Sequence, residues 1–252
     1  MNIFGLDIGG SGIKGAPVDM ETGELAGDRV RIKTPQPATP EAIVQTSLEV
    51  VRTSEWEGPV GCGFPAVMKD GVVKTAANID ESAIGFDLGG NLESELGVPV
   101  RVVNDADAAG LAEIQWGAGR NVEGVVLMLT LGTGIGTALF VEGRLVPNTE
   151  LGHIEIDGYD AETRASDGAR KREDLDWKQY AERLQKYLST VEALLWPDLI
   201  VLGGGISKKS DKYLSDIETR AKVVPAQMLN QAGIAGAALA GAPGSSVVSV
   251  AE

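Results

Sequence analysis

Apolar positions fall in short blocks along this chain, separated by breaks rich in glycine and acidic residues. Alternating and continuous apolar runs predict strands at residues 2–8, 13–18, 25–34, 60–64, 72–75 and 100–104. Between them, residues 39–53 place Ile43, Leu48 and Val51 at helical spacing, and Thr39-Pro40 supplies a cap and first turn. A helix over 107–116 leads to a second set: strands at 124–131 and 137–141, a polar region at 157–176, a long helix at 177–195 and an apolar strand at 199–202. That strand runs into Gly203-Gly204-Gly205 and a helix-like segment. The pattern predicts mixed α/β lobes over 1–108 and 109–240, with the last helix free to return to the first lobe. Residues 241–252, small and polar, are expected to fray.

One glycine turn occurs twice. Leu6 to Ala16 reads Leu-Asp-Ile-Gly-Gly-Ser-Gly-Ile-Lys-Gly-Ala, and Leu129 to Ala138 reads Leu-Thr-Leu-Gly-Thr-Gly-Ile-Gly-Thr-Ala. One gap aligns Gly9 with Gly132, Gly12 with Gly134 and Ile13 with Ile135. Each copy sits between strand-type runs and so predicts a hairpin with a glycine-rich turn. Glycine permits positive φ and lets backbone N–H groups approach an anion. Either copy alone also fits an ordinary tight hairpin; the repetition favours two lobes that bind a phosphate chain.

Composition narrows the classes. Hydrophobic residues make up 43% of the 252 positions and charged residues 23%, as in ordinary globular chains, and no apolar run approaches the ~20 residues of a membrane span. With no leader-like segment before the first strand and one cysteine, Cys62, in apolar surroundings, a reducing cytoplasm is expected. Against 22 Lys and Arg stand 36 Asp and Glu, a net charge of -14, which disfavours nucleic acid and anionic membranes as partners. Any polyanion must then meet a local basic patch.

Candidate chemistry gathers at three places. Asn104-Asp105 closes a strand and opens a helix, where open α/β sheets put their sites; the residues fit a helix N-cap equally well. His153, the single histidine, lies in Glu150-Leu151-Gly152-His153, and the two polar side chains suit either a structural role or a polyhydroxylated ligand. Arg164, Arg170, Lys171 and Arg172, with Lys208 and Lys209 after the triple glycine, are either solvated surface or a track for an anion.

Together these residues resemble the ROK family of sugar kinases and repressors, within the actin-like ATPase and hexokinase superfamily. The resemblance runs through Asp7-Ile8-Gly9-Gly10-Ser11 and Lys14, Gly63-Phe64-Pro65, Asn104-Asp105-Ala106, Leu131-Gly132-Thr133-Gly134, Glu150-Leu151-Gly152-His153 and Gly203-Gly204-Gly205-Ile206. It implies two α/β lobes of the ribonuclease H-like kind around a central cleft, with Asp105 as the base on a sugar hydroxyl. Asn78, Asn104, Glu150 and His153 become sugar contacts. Gly9, Gly10, Ser11, Gly12, Thr133, Gly134, Gly204 and Gly205 become donor-phosphate contacts, with Lys14 offsetting charge. Mg2+ is implied as cofactor, with Asp7 as an outer partner.

Most family members follow the histidine with three cysteines that bind zinc together with it; these are absent here, so no structural zinc is expected. Asp160-Ala161-Glu162-Thr163-Arg164-Ala165-Ser166 resembles the family's Cys-Leu-Glu-Ala-Tyr-Ala-Ser with the zinc loop shortened, which makes Glu162 the last sugar-binding glutamate. Such short, zinc-free chains look like the actinobacterial branch that phosphorylates the 6-hydroxyl of glucose from inorganic polyphosphate and also from ATP. The alternative is an ATP-dependent kinase for mannose or another hexose. The basic residues named above would be the polyphosphate track, and a homodimer is the expected assembly. Family repressors place a helix-turn-helix ahead of the first glycine motif, where this chain starts.

Overall fold

The computed structural model describes residues 1–76 and 79–244. Asn78 and the tail beyond Gly244 lie outside the described residues. The chain divides into two compact units, residues 1–112 together with the segment from Gln231 onward, and residues 113–230.

The first unit starts with β1 (Asn2–Gly9), β2 (Gly12–Asp19) and β3 (Val30–Ile32), then α1 (Pro40–Thr53) and β4 (Val60–Phe64). A small β5–β6 pair (Met68–Lys69, Val72–Val73) and α2 (Leu88–Leu96) precede β7 (Val100–Asn104) and α3 (Asp105–Trp116). The main sheet has the order β3-β2-β1-β4-β7, with β1, β4 and β7 parallel. Helix α1 follows its predicted bounds: the Thr39 hydroxyl accepts from the N–H of Ala42, Pro40 occupies the first turn, and Ile43, Val44, Leu48 and Val51 are buried in the core beside Phe4, Leu6 and Val60. Two strand expectations shrink. The run at 25–34 pairs as a strand only over Val30–Ile32, with a single bridge at Leu25, because Gly27-Asp28 interrupts it. The run at 72–75 keeps only Val72–Val73.

The second unit repeats this plan. Strands β8 (Val125–Leu131), β9 (Ile135–Val141) and β10 (Arg144–Val146) form an antiparallel meander. After the β11–β12 hairpin (Glu155–Ile156, Tyr159–Asp160) come α4 (Glu162–Ala165), α5 (Asp167–Arg172) and α6 (Trp177–Leu195). Then β13 (Leu199–Gly203) and β14 (Lys222–Pro225) add in parallel to β8, giving the order β10-β9-β8-β13-β14. Hairpin, third antiparallel strand, two parallel strands: the order matches the first sheet strand for strand. Helix α6 opens on a capping box of Asp176 and Gln179 and buries Tyr180, Leu184, Tyr187, Leu188 and Val191 against the sheet. The polar region at 157–176 contains the hairpin turn, β12 and two short helices.

Helix α7 (Ala232–Gly241) rejoins the first unit. It is apolar all round and made of small residues, as a helix enclosed by protein must be. A Cβ on Gly5 or Gly61 would collide with the carbonyls of Ile234 and Ala237, and one on Gly236 with that of Ala108. Glycine on both sides lets the backbones approach this closely. Gly241, expected to begin a frayed tail, instead closes this helix.

Candidate active site

In the first unit the C-terminal ends of β1, β4 and β7 share one edge of the sheet, the usual place for sites in parallel α/β sheets. The turn Gly9-Gly10-Ser11-Gly12 stands there, with Gly9 paired to Gly12. The expectation of positive φ is corrected: none of its glycines has it, nor do Gly132 and Gly134 in the second copy. Space is what these positions use. A Cβ on Gly12 would press on the Arg31 guanidinium at 2.8 Å, whereas one on Gly10 or Gly132 would meet nothing within 4 Å; the Gly132 N–H donates to the carbonyl of Gly134 at 3.0 Å and its carbonyl accepts from Gly168. A cavity of about 240 Å³ adjoins the first turn, lined by Gly9, Gly10, Thr34, Pro65, Ile79 and Asp80 among others. Lys14 and Asp7, cross-strand partners, form an ion pair at 2.8 Å beside this turn.

Asn104 ends β7 and is buried, 6% exposed. Its Oδ1 accepts from the N–H groups of Ala106 at 2.8 Å and Asp107 at 3.1 Å, and its Nδ2 donates to the carbonyl of Ala66. Asn104 therefore caps α3, and Asp105 becomes the first helical residue, two positions before the expected start. Of the pair, Asn104 supplies the cap, and the half-buried Asp105 follows it at the sheet edge. Asp7 pairs with Gly63, and Asn104 with the next residue, Phe64, so Asp7 and Asp105 flank β4 with backbones on the order of 10 Å apart.

In the second unit the turn Gly132-Thr133-Gly134 joins β8 to β9, and β9 starts at Ile135, two residues earlier than expected. Gly203 pairs with Thr130, so the triple-glycine loop lies at the same edge. Gly204 has φ +80° and lies against the backbone of Leu131, while Gly205 faces open space and starts a 3-10 helix with a kink at Lys209. Glu162 Oε2 accepts from the N–H of Ile135 at 3.0 Å and fills the place where a Cβ on Gly134 would sit. His153 Nδ1 lies 2.8 Å from Asp160 Oδ2, and its Nε2 lies 3.8 Å from Glu150 Oε2; both side chains are 38% exposed.

Electrostatics follow from this crowding. The hydrogen bond to Asp160 raises the His153 pKa above its usual value; partial burial opposes this, and the charges of Glu162, Asp160 and Glu150 add to it. Glu150 is pushed up by burial, with His153 opposing and Glu162 adding. His153, Asp160 and Glu162 offer ligand atoms within 4.8 Å of one another. At 2.8 Å, though, the His153–Asp160 contact is a hydrogen bond, and Asp160 Oδ1 accepts from the N–H of Glu162 at 3.1 Å, so the trio is a hydrogen-bonded network.

The expected cationic track is mostly paired. Arg164 stacks over Tyr159 at 3.9 Å, Arg170 and Lys171 both bind Asp167, and Arg172 donates to the carbonyl of Thr163. Lys208 and Lys209 are exposed, and the Lys209 ammonium lies 5.8 Å from the Trp177 ring. Sequence reasoning passed over Asp160, Asp167 and Trp177 as site residues. The Asp157-Gly158 pair was the available signal, since Asp-Gly between short apolar runs marks a two-residue hairpin, and both residues have positive φ here. That hairpin brings Asp160 back to His153.

The family model described as ROK family matches residues 3–171. Over 238 residues the chain is 50% identical to the polyphosphate glucokinase of Mycobacterium tuberculosis (strain H37Rv), covering 94% of this chain and 90% of that protein. The polyphosphate glucokinase of Mycobacterium leprae is 47% identical, with 94% and 74% covered. Among solved structures, the inorganic polyphosphate/ATP-glucomannokinase from Arthrobacter sp. strain KM superposes with a TM-score of 0.91 at 51% identity, covering 94% and 97% of the two chains. The ROK family glucokinase from Streptomyces griseus, solved with glucose and AMPPNP, gives 0.80 at 25% identity, covering 94% and 98%. The α/β architecture expected from the sequence is thus the actin-like ATPase fold of these kinases, and the chain belongs to the ROK family.

Proposed function

We propose that this chain transfers the terminal phosphoryl group of inorganic polyphosphate, and also of ATP, to the 6-hydroxyl of glucose. The observation that carries the reading is the place of Asp105, the first residue of α3, directly after β7 at the sheet edge that bears the open glycine turn. In the step, the sugar oxygen attacks the terminal phosphorus, the bridging P–O bond breaks and the donor leaves one phosphate shorter. The hydroxyl proton passes to Asp105.

Glu150 and His153 hold a second hydroxyl. Their facing atoms are 3.8 Å apart, too far for a hydrogen bond to each other but a span that one hydroxyl oxygen bridges. Glu162, pinned to Ile135, faces the same sugar and couples its position to the Gly132–Gly134 turn. The backbone at Gly10, with open space beside it, is placed to donate to the transferring phosphate. A divalent cation such as Mg2+ offsets phosphate charge when it arrives with the donor. Asp7, with one oxygen already on Lys14, suits contact through water rather than direct ligation. Mannose as an alternative acceptor is favoured by the glucomannokinase at 51% identity, and a homodimer belongs to the same reading.

The test is product formation from glucose with polyphosphate or ATP as sole donor, for wild type and Asp105→Asn. Glucose 6-phosphate from polyphosphate, lost in the variant while glucose still binds, is expected. No turnover with polyphosphate would refute the donor assignment, and an active variant the base.

A further inference from the structure

We propose that Asp160 is a positioning residue of the sugar site: its two carboxylate oxygens separately fix the ring of His153 and the backbone of Glu162, so one side chain sets both sugar contacts. The inference rests on the sugar-binding role of His153 and Glu162 proposed above. Its basis is geometric. Asp160 Oδ2 lies 2.8 Å from His153 Nδ1, and Asp160 Oδ1 accepts from the N–H of Glu162 at 3.1 Å. A carboxylate only accepts, so the shared proton sits on Nδ1. Nε2 is then the nitrogen turned to the ligand, an acceptor when the ring is neutral and a donor when it is charged.

The local fold holds this arrangement at its ends. The hairpin pairs Glu155 with Asp160 and Ile156 with Tyr159 across the Asp157-Gly158 turn, and Ala161 donates its N–H to the carbonyl of Ile154. Asp160 is thereby held at the end of the paired segment, with His153 two positions before its partner Glu155 on the adjacent strand. From Glu162 the network continues to the N–H of Ile135 at the end of the second glycine turn. A displaced Asp160 frees the imidazole to rotate and loosens the start of α4 at the same time.

Asp160→Asn makes a distinctive prediction. Keeping the amide oxygen on the Glu162 N–H turns the NH2 group toward Nδ1, which must then accept, so the tautomer inverts to Nε2–H. Because His153 is the single histidine, long-range 1H–15N spectra of untagged protein read this ring without assignment ambiguity. The expected spectra show Nδ1 protonated in wild type, the inverted pattern in Asp160→Asn, and a mixture in Asp160→Ala. In steady state, Asp160→Ala should raise the glucose KM about 10-fold, with a smaller change in kcat and little in the polyphosphate KM. If both variants keep the wild-type tautomer, or if Asp160→Ala leaves the glucose KM within about twofold while His153→Ala raises it, the positioning role is wrong. An unchanged glucose KM in His153→Ala would instead overturn the sugar contact itself. Should Asp160→Ala not fold, the isosteric Asn variant still decides the question.

Discussion

Arg170 donates through Nε to Asp167 at 2.8 Å while its guanidinium lies 4.4 Å from the centre of the Trp177 ring. Burial disfavours the Asp167 charge, but hydrogen bonds from Lys171 and Arg170 outweigh it and hold the carboxyl below its usual range. At 16% exposure the Arg170 side chain is part of the fold beneath α5, not a free surface cation. Its replacement by Gln is expected to lower the thermal midpoint by several degrees, because the buried Asp167 then keeps only Lys171 of its two cations, and calorimetry checks this.

Lys208 and Lys209, exposed beside the triple-glycine loop, remain as the cations best placed to attract a polyanion to a protein of net charge -14. Replacing both with Gln should raise the polyphosphate KM and flatten its salt dependence, with less effect on the ATP KM, because screening acts over ~8 Å at physiological ionic strength. Equal losses with both donors would point to a shared phosphate contact instead.

Asp105→Asn should reduce kcat by about 100- to 10,000-fold with glucose binding retained. Asn104→Ala should behave differently: it removes the α3 cap and costs about 1 kcal/mol of stability, read by denaturant titration. Turnover near wild type in the Asp105 variant would return that residue to a structural role.

Two glycines separate ligand space from packing space. Gly10→Ala meets nothing within 4 Å, so the fold should be unaffected while the donor KM rises. Gly61→Ala drives a methyl into the Ala237 carbonyl of α7 and should cost about 1–3 kcal/mol or more. A Gly10 variant that keeps wild-type donor kinetics would remove that turn from the phosphate site.

The His153 pKa is raised above 6.5, first by the Asp160 hydrogen bond. Its folded-state charge therefore contributes stability that is full below about 6.5 and lost as pH rises through the raised value. The groups facing it are Glu150, Asp160 and Glu162. The stability difference between wild type and His153→Gln, measured by chemical denaturation, should shrink as pH rises through that range. A difference independent of pH would contradict it.

Purified untagged protein should contain no stoichiometric zinc. One cysteine and one histidine cannot build the usual four-ligand site, and His153 Nδ1 is engaged by Asp160. Elemental analysis giving one zinc per chain would refute this.

Local pattern alone placed α1 from Pro40 and α6 from Trp177 to Leu195 at their observed bounds, because their caps and 3.6-residue periodicity are written in neighbouring positions. The duplicated glycine turn pointed to two lobes, and the order of motifs named the family; that the two sheets share one strand order is a finding of the structure. Asp105, the glycine turns and Glu150 to His153 were legible as candidates because their chemistry is tied to motifs. Tertiary structure decided what depends on partners distant in sequence. Asn104 reaches back to Ala66, Glu162 reaches Ile135, and α7 lies on Gly5 and Gly61 from more than 170 residues away. The division of the basic residues into paired and exposed ones was equally hidden, since a charge run does not reveal which acids fold against it. Sequence periodicity sets which face of an element is apolar and where a cap lies; contact across the fold sets which proton sits on which nitrogen, and for that His153 had to meet Asp160.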